Sequence, residues 1–389
     1  MRKLFVLLAL GMVAAGLLAT TGSAARTSRH GGPCATRVPA NVGRFSGVLS
    51  AQAIAGRSCA SDPANGLPPL LWGGGPVMGT VSTSPITVTP IYWEPSGYFN
   101  PGDYRNLINQ YLNDVAAASG TDSNVYSTAT EYYGSNGPDP QNFINYNIVR
   151  GAPIRDHNPF PHGGCTVGSK DKSGIYVDGS GYTACLDDAQ VTAEIQNVIA
   201  ANNLPQNDYS HEYVMLTPKH VASCFYGMST ANKHNVCTIT HYPSARYCAY
   251  HSMFGPNYPV SGTVYANLPF PIYQSPVGFT CGSDANGHGT VESPNGQKDA
   301  DVEVSPLSHE IMESITDPNV FNGWFDQAGF ENGDECAYVW GPFSGTPGAL
   351  YNQTINGHNY LTQEEFSNTD FANTSGAGGC VQSESAVTP

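Results

Sequence analysis

Ten cysteines constrain this chain more than any other feature. They stand at positions 34, 59, 165, 185, 224, 237, 248, 281, 336 and 380, and no two make a CxxC pair. The lack of CxxC removes zinc-ribbon and thioredoxin-like arrangements. An even number in an exported chain calls instead for up to five disulfides, formed in an oxidising compartment. Pairs close in sequence, such as Cys165–Cys185 and Cys224–Cys237, are the simplest, and spacing alone leaves the connectivity open.

The start of the chain points to that compartment. Arg2 and Lys3 precede an apolar run from Leu4 to Ala19, and Gly22-Ser23-Ala24-Ala25 follows with small side chains. This is the pattern of a secretory signal over residues 1–25, cut near Ala24 or Ala25. An uncleaved anchor is the alternative, but the run falls short of the roughly 18 apolar residues that a span needs. A secreted, extracellular protein without a membrane anchor is therefore expected. Losing Arg2 and Lys3 with the leader takes the formal charge from −15 to −17. Such an acidic body repels nucleic acid and anionic lipid.

Only 12% of residues are charged, while the chain holds 43 Gly and 29 Pro. That composition suits a loop-rich exported protein and excludes collagen, coiled coil and charged disorder. Residues 26–80 read as a leader or pro-segment, rich in Gly, Pro and Ser and closed by breaker runs such as Leu67-Pro68-Pro69. Residues 81–389 read as one main domain. Ile86–Trp93 has strand composition, and a helix is expected over about 103–118, capped by Asp103, with Leu107, Ile108, Tyr111, Leu112 and Val115 on its apolar face. Further strands are expected near 143–149, 174–178, 212–216 and 263–267. A helix starting at Asp187-Asp188 carries Val191, Ile195, Val198 and Ile199. The alternation predicts an α/β or α+β fold with a mixed sheet, long disulfide-linked loops and a late helix.

That late helix carries the chemistry. In Ser305–Pro318 (SPLSHEIMESITDP), Ser305 fits an N-cap, Pro306 the first helical position, and Asp317-Pro318 the stop. His309 and Glu313 are four residues apart and share one helix face, while Leu307, Ile311 and Ile315 form an apolar stripe. An imidazole and a carboxylate one turn apart are half of a metal site. HExxH zinc peptidases use this geometry, with the Glu after the first His as general base, the role that falls to Glu310 here. A His with a carboxylate still suits zinc, the expected metal, while Glu313 in place of the second His moves preference toward harder ions, with manganese the alternative. Glu331 and Asp334, 18 and 21 residues past Glu313, are the candidates for a third ligand, as in thermolysin-like sites. The alternative for the helix is an exposed pair of solvated glutamates beside a hydrogen-bonded His.

Other histidines carry less. His288, in Asn286-Gly287-His288-Gly289-Thr290, lacks the residues and the later serine segment of a subtilisin-like protease. His241 and His251 read first as loop histidines that satisfy hydrogen bonds, with His251 also a candidate for oxyanion stabilisation. His157 and His162 flank a turn.

The order ITVTPIYW (86–93), Asp103–Val115, CAYHS (248–252), SHEIMESITDP (308–318), Gly323-Trp324-Phe325, ENGDECAYVWG (331–341) and NGHNYL (356–361) resembles the Exordium, or phosphate-induced, protein family, and its microbial members most. The resemblance spans about residues 80–381 and implies secretion and a shared fold. Plant members are linked to growth and cell-wall signalling without an assigned enzymatic activity. Glu331 and Cys336 match positions that the plant proteins share, whereas His309, Glu310 and Glu313 replace apolar and small residues there.

Three expectations follow. The first is a zincin-like metallopeptidase acting on polypeptides, with His309, Glu313 and Glu331 or Asp334 on the metal and Glu310 activating water. The second is a non-catalytic protein that binds cell-wall polymer or glycan through Tyr- and Trp-bearing loops. The third is a structural calcium held among Asp326, Glu331, Asp334 and Glu335.

Overall fold

A computed structural model describes residues 68–384, apart from 136–141, 165–181, 226–236, 239–246, 259–260, 272–273, 276–277, 280, 282–290 and 328. The signal sequence, most of the 26–80 segment, Cys34, Cys59, Cys165, the expected strand at 174–178, His241 and His288 lie outside the described residues.

The central sheet starts with β1 (Ile86–Trp93), whose β-branched and aromatic residues suit a strand buried on both faces. Helix α1 (Gly102–Ala117) follows, then the short strands β2 (Ile148–Arg150) and β3 (Ile154–Asp156). Next come α2 (Asp188–Asn202), β4 (His211–Leu216), β5 (Tyr250–Phe254) and β6 (Thr263–Leu268). β2 and β3 both pair parallel to β1, one beyond the other. Pro90 stands level with the interruption between them, where a residue without an N–H is tolerated. β4 pairs parallel to β1 and β6 parallel to β4. β5 closes the edge antiparallel to β6, with His251 opposite Ala266. The sheet is therefore mixed, and the architecture mixed α/β.

Alternation along the strands fills two cores. Ile86, Val88, Val214, Leu216, Val264 and Ala266 face α1 and the late helix α3 (Lys298–Thr316). Ile91, Trp93, Tyr213, Met215 and Tyr265 face the Val191, Ile195, Val198 and Ile199 stripe of α2. Three layers result, with helices on both faces of the sheet.

The helix ends differ from expectation in two places. Asp103 does not cap α1: Pro101 holds the cap position without a side-chain bond, and Asp103 Oδ1 accepts from the N–H of Tyr104. α3 begins two turns before Ser305, at Lys298. The side chain of Gln297 caps it by accepting from the N–H of Ala300, and Asp299 and Asp301 favour its positive end. Pro306 thus sits inside the helix, where it removes one internal hydrogen bond at a cost of about 3 kcal/mol. Burial of every residue from Ala300 to Thr316 offsets that cost. Asp187 caps α2 as expected, in a reciprocal capping box with Gln190.

Three disulfides are described: Cys224–Cys237, Cys248–Cys281 and Cys336–Cys380. Cys185 is also disulfide-bonded. The first matches the expected neighbouring pair. Cys248 lies just before β5, and Cys336 directly follows α4 (Asn332–Glu335), a single helical turn.

Candidate metal centre

α3 crosses the sheet so that its middle turns meet β5 on one side and α4 on the other. His309, one helical turn before Glu313, places Nε2 2.9 Å from Glu313 Oε1 and 3.8 Å from Asp334 Oδ1. The main-chain N–H of Asp334 donates to Glu313 Oε1 at 3.0 Å, which fixes α4 against α3. The contact is close because of Gly333: a Cβ there would lie 2.7 Å from His309 Nδ1.

Gln363 sets the orientation of His309. Its Nε2 donates to Gly333 O at 2.6 Å, so its Oε1 is the atom left to accept from His309 Nδ1, 3.1 Å away. With the proton on Nδ1, a neutral ring turns its lone pair at Nε2 toward Glu313 and Asp334. Nε2 is buried and has no hydrogen-bond partner. A ring N–H held by an outer partner, with the other nitrogen aimed at carboxylates, is the usual setting of a metal-ligating histidine.

A second group adjoins the first. His251 Nδ1 lies 3.4 Å from Glu310 Oε2 and 3.3 Å from Glu313 Oε2, while its Nε2 is 3.1 Å from Asp317 O and 3.7 Å from Glu331 Oε1. All of these side chains are buried. Glu365 is buried too, and neither of its carboxyl oxygens has a hydrogen-bond partner.

The electrostatics agree with the geometry. Burial alone would depress both imidazoles, yet the surrounding carboxylates raise His251 and His309 well above the usual histidine range. Burial raises Glu310 to about 7. For Glu313 burial pulls the same way but is overcome by His309 and His251, which hold that carboxyl low. Burial and nearby carboxylates push Asp334 and Glu365 well up. A pocket that draws protons onto two imidazoles attracts a dication more strongly.

All five residues expected from sequence come together here, with a division between the two candidates for third ligand. Asp334 groups with His309 and Glu313, whereas Glu331 lies behind His251. Among the described residues the groupings suited to a metal are His309–Glu313–Asp334 and His251–Glu310–Glu313. Asp326 and Glu335 belong to neither: Asp326 Oδ1 instead accepts from the N–H groups of Gly329 and Phe330. Sequence reading missed Gln363 and Glu365, and gave His251 a loop role first and oxyanion stabilisation second, not a place among metal-binding carboxylates. The run Gln363-Glu364-Glu365 was a visible polar signal, but nothing in its spacing tied it to α3.

A surface pocket of about 640 Å³ lies elsewhere, shares no residue with the cluster, and is lined by Tyr98, Phe99, Phe270, Lys219, His220 and Asp299 among others. Among the described residues no helix is long and apolar enough to cross a membrane. No family model, no curated protein and no solved structure matches the chain.

Proposed function

We propose that this is a secreted metal-dependent hydrolase of the zincin type, acting on polypeptides. The observation that carries the reading is the convergence of His309 Nε2, Glu313 Oε1 and Asp334 Oδ1, with Gln363 fixing the ring. One imidazole and two carboxylates suit zinc or manganese. A dication there supplies a Lewis acid that lowers the pKa of water and polarises a scissile carbonyl. Glu310, next to His309 on α3, accepts the proton of the attacking water and returns it to the leaving amine. The hydroxyl of Ser314 donates to Glu212 Oε1 on β4 at 2.9 Å, which holds α3 to the sheet one residue past Glu313. The mixed sheet backing a helix with this motif supports the zincin assignment. The described disulfides agree with export.

Glu310→Gln tests the reading on a peptide library. Hydrolysis should fall by about 10²–10⁴-fold, with metal still held by His309, Glu313 and Asp334 and circular dichroism unchanged. Equal turnover by the variant and the wild type would contradict it.

Two observations favour a second reading, a non-catalytic extracellular protein of the Exordium type with a structural metal. His309, Glu310 and Glu313 are each 0% exposed, as a closed structural site requires. The pocket lined by Tyr98, Phe99 and Phe270 offers aromatic faces with polar groups beside them, a combination that suits sugar stacking. Cell-wall polymer is then the partner, and glycan arrays with Phe99→Ala as control separate this reading from the first.

A further inference from the structure

We propose that the cluster binds two dications that share Glu313, the second held by His251, Glu310 and Glu313. This rests on the reading of His309, Glu313 and Asp334 as a first metal site, and deepens it.

His251 carries the argument. Its Nε2 faces the main-chain oxygen of Asp317 at 3.1 Å, and that oxygen can only accept. The proton therefore sits on Nε2, and a neutral ring presents its lone pair at Nδ1. Nδ1 is buried without a hydrogen-bond partner, as is Glu313 Oε2 opposite it. Two carboxylate oxygens converging on this nitrogen in a dry interior call for a positive charge among them, and a dication held by all three atoms supplies it by displacing the Nδ1 proton. The distances suit one. Bonds of 2.0–2.1 Å to a tetrahedral zinc place neighbouring ligand atoms about 3.3–3.4 Å apart. His251 Nδ1 lies 3.4 Å from Glu310 Oε2 and 3.3 Å from Glu313 Oε2.

The two oxygens of Glu313 belong to different groups. Oε1 is 2.9 Å from His309 Nε2 and Oε2 is 3.3 Å from His251 Nδ1. A carboxylate shared in this way is a bridge, as found where two metals lie about 3.5–4 Å apart. The donor count points the same way. Glu310, Glu313, Glu331, Asp334 and Glu365 are all buried around two imidazoles. Seven donor groups are more than one four-coordinate dication takes up.

The second ion has a regulatory consequence. Once Glu310 Oε2 is a ligand it no longer accepts a proton from water. Metal held by His309, Glu313 and Asp334 alone then supports hydrolysis, and filling the His251 site suppresses it.

The test uses chelator-stripped mature protein titrated with Mn²⁺, counting bound metal by equilibrium dialysis and following the EPR spectrum. Wild type should bind two equivalents, the second broadening the six-line signal of the first. His251→Ala and His309→Ala should each keep one uncoupled ion, and Glu313→Ala should bind at least tenfold more weakly at both sites. Saturation at one equivalent overturns the second site while leaving the first standing. No bound metal overturns the underlying reading as well. Two uncoupled ions, or two ions retained in His251→Ala, place the second ion elsewhere and overturn the proposal. If His251→Ala does not fold by circular dichroism, the wild-type count and spectrum decide alone. Hydrolysis that depends on Glu310 and is undiminished at two equivalents overturns the regulatory consequence.

Discussion

Gln363 and Gly333 show how much of this centre depends on residues that bind nothing themselves. Gln363 spans from Gly333 O to His309 Nδ1 and so decides which ring nitrogen faces the carboxylates. Gln363→Ala should weaken metal binding by about 10–100-fold without unfolding the protein, as measured by competition against a chromophoric chelator. Gly333 is needed for space rather than for backbone freedom. In Gly333→Ala the new methyl meets the His309 ring at 2.7–2.9 Å. That change should cost about 1–3 kcal/mol in chemical denaturation and lower metal affinity as the ring shifts. The helical pair His309 and Glu313 was legible because four residues make one turn. His251 and Gln363 were not, because they reach the site from an edge strand and a late loop, and only tertiary packing brings them there. That Asp334 rather than Glu331 lies beside His309 and Glu313 follows from the turn of α4, which four residues of sequence do not reveal.

At the scale of elements, α3 teaches where local rules lose. Ser305 followed by Pro306 is a sound helix start by capping preference, yet the helix runs through it because both flanks are buried. Ser305 Oγ serves elsewhere, accepting from the N–H of Gln363 at 3.1 Å. Asp187 behaves as its type predicts, and Asp187→Ala should cost about 1 kcal/mol through loss of the α2 cap. Glu303 on α3 gives a pH signature. It is buried beside Tyr104, and burial first, then Asp299, raises its carboxyl well above the ordinary glutamate range. The folded chain therefore keeps this proton after the unfolded chain has lost it. Protons bound in excess by the native state mean that stability falls as pH rises past about 4.5, the ordinary glutamate range. Urea titrations of chelator-stripped protein at pH 4.5 and pH 7 isolate this contribution: relative to wild type, Glu303→Gln should gain stability at pH 7 over pH 4.5. An equal slope in both proteins would contradict the assignment.

Across the whole molecule, a loop-rich chain with few charges is organised by a mixed sheet, two apolar cores and disulfides placed next to the centre. Cys248–Cys281 anchors the approach to β5 and His251. Cys336–Cys380 closes 44 residues of sequence immediately after Asp334. Replacing Cys336 and Cys380 together by Ser should cost about 2–5 kcal/mol and weaken metal binding, because α4 loses its tether. The mixed α/β class, the strands at 86–93, 212–216 and 263–267 and the helix at 187 were readable from period and composition. The antiparallel placement of β5 at the edge was not, since strand order depends on contacts distant in sequence. The central claim, that this helix with α4 holds a metal, is tested most directly by elemental analysis of the purified mature protein beside a His309→Ala/Glu313→Ala variant. Near-stoichiometric or greater zinc or manganese in the wild type, with that metal lost from the folded variant, is the predicted result. Wild type that stays metal-free after exposure to both ions, or a variant that retains the full complement, would contradict it.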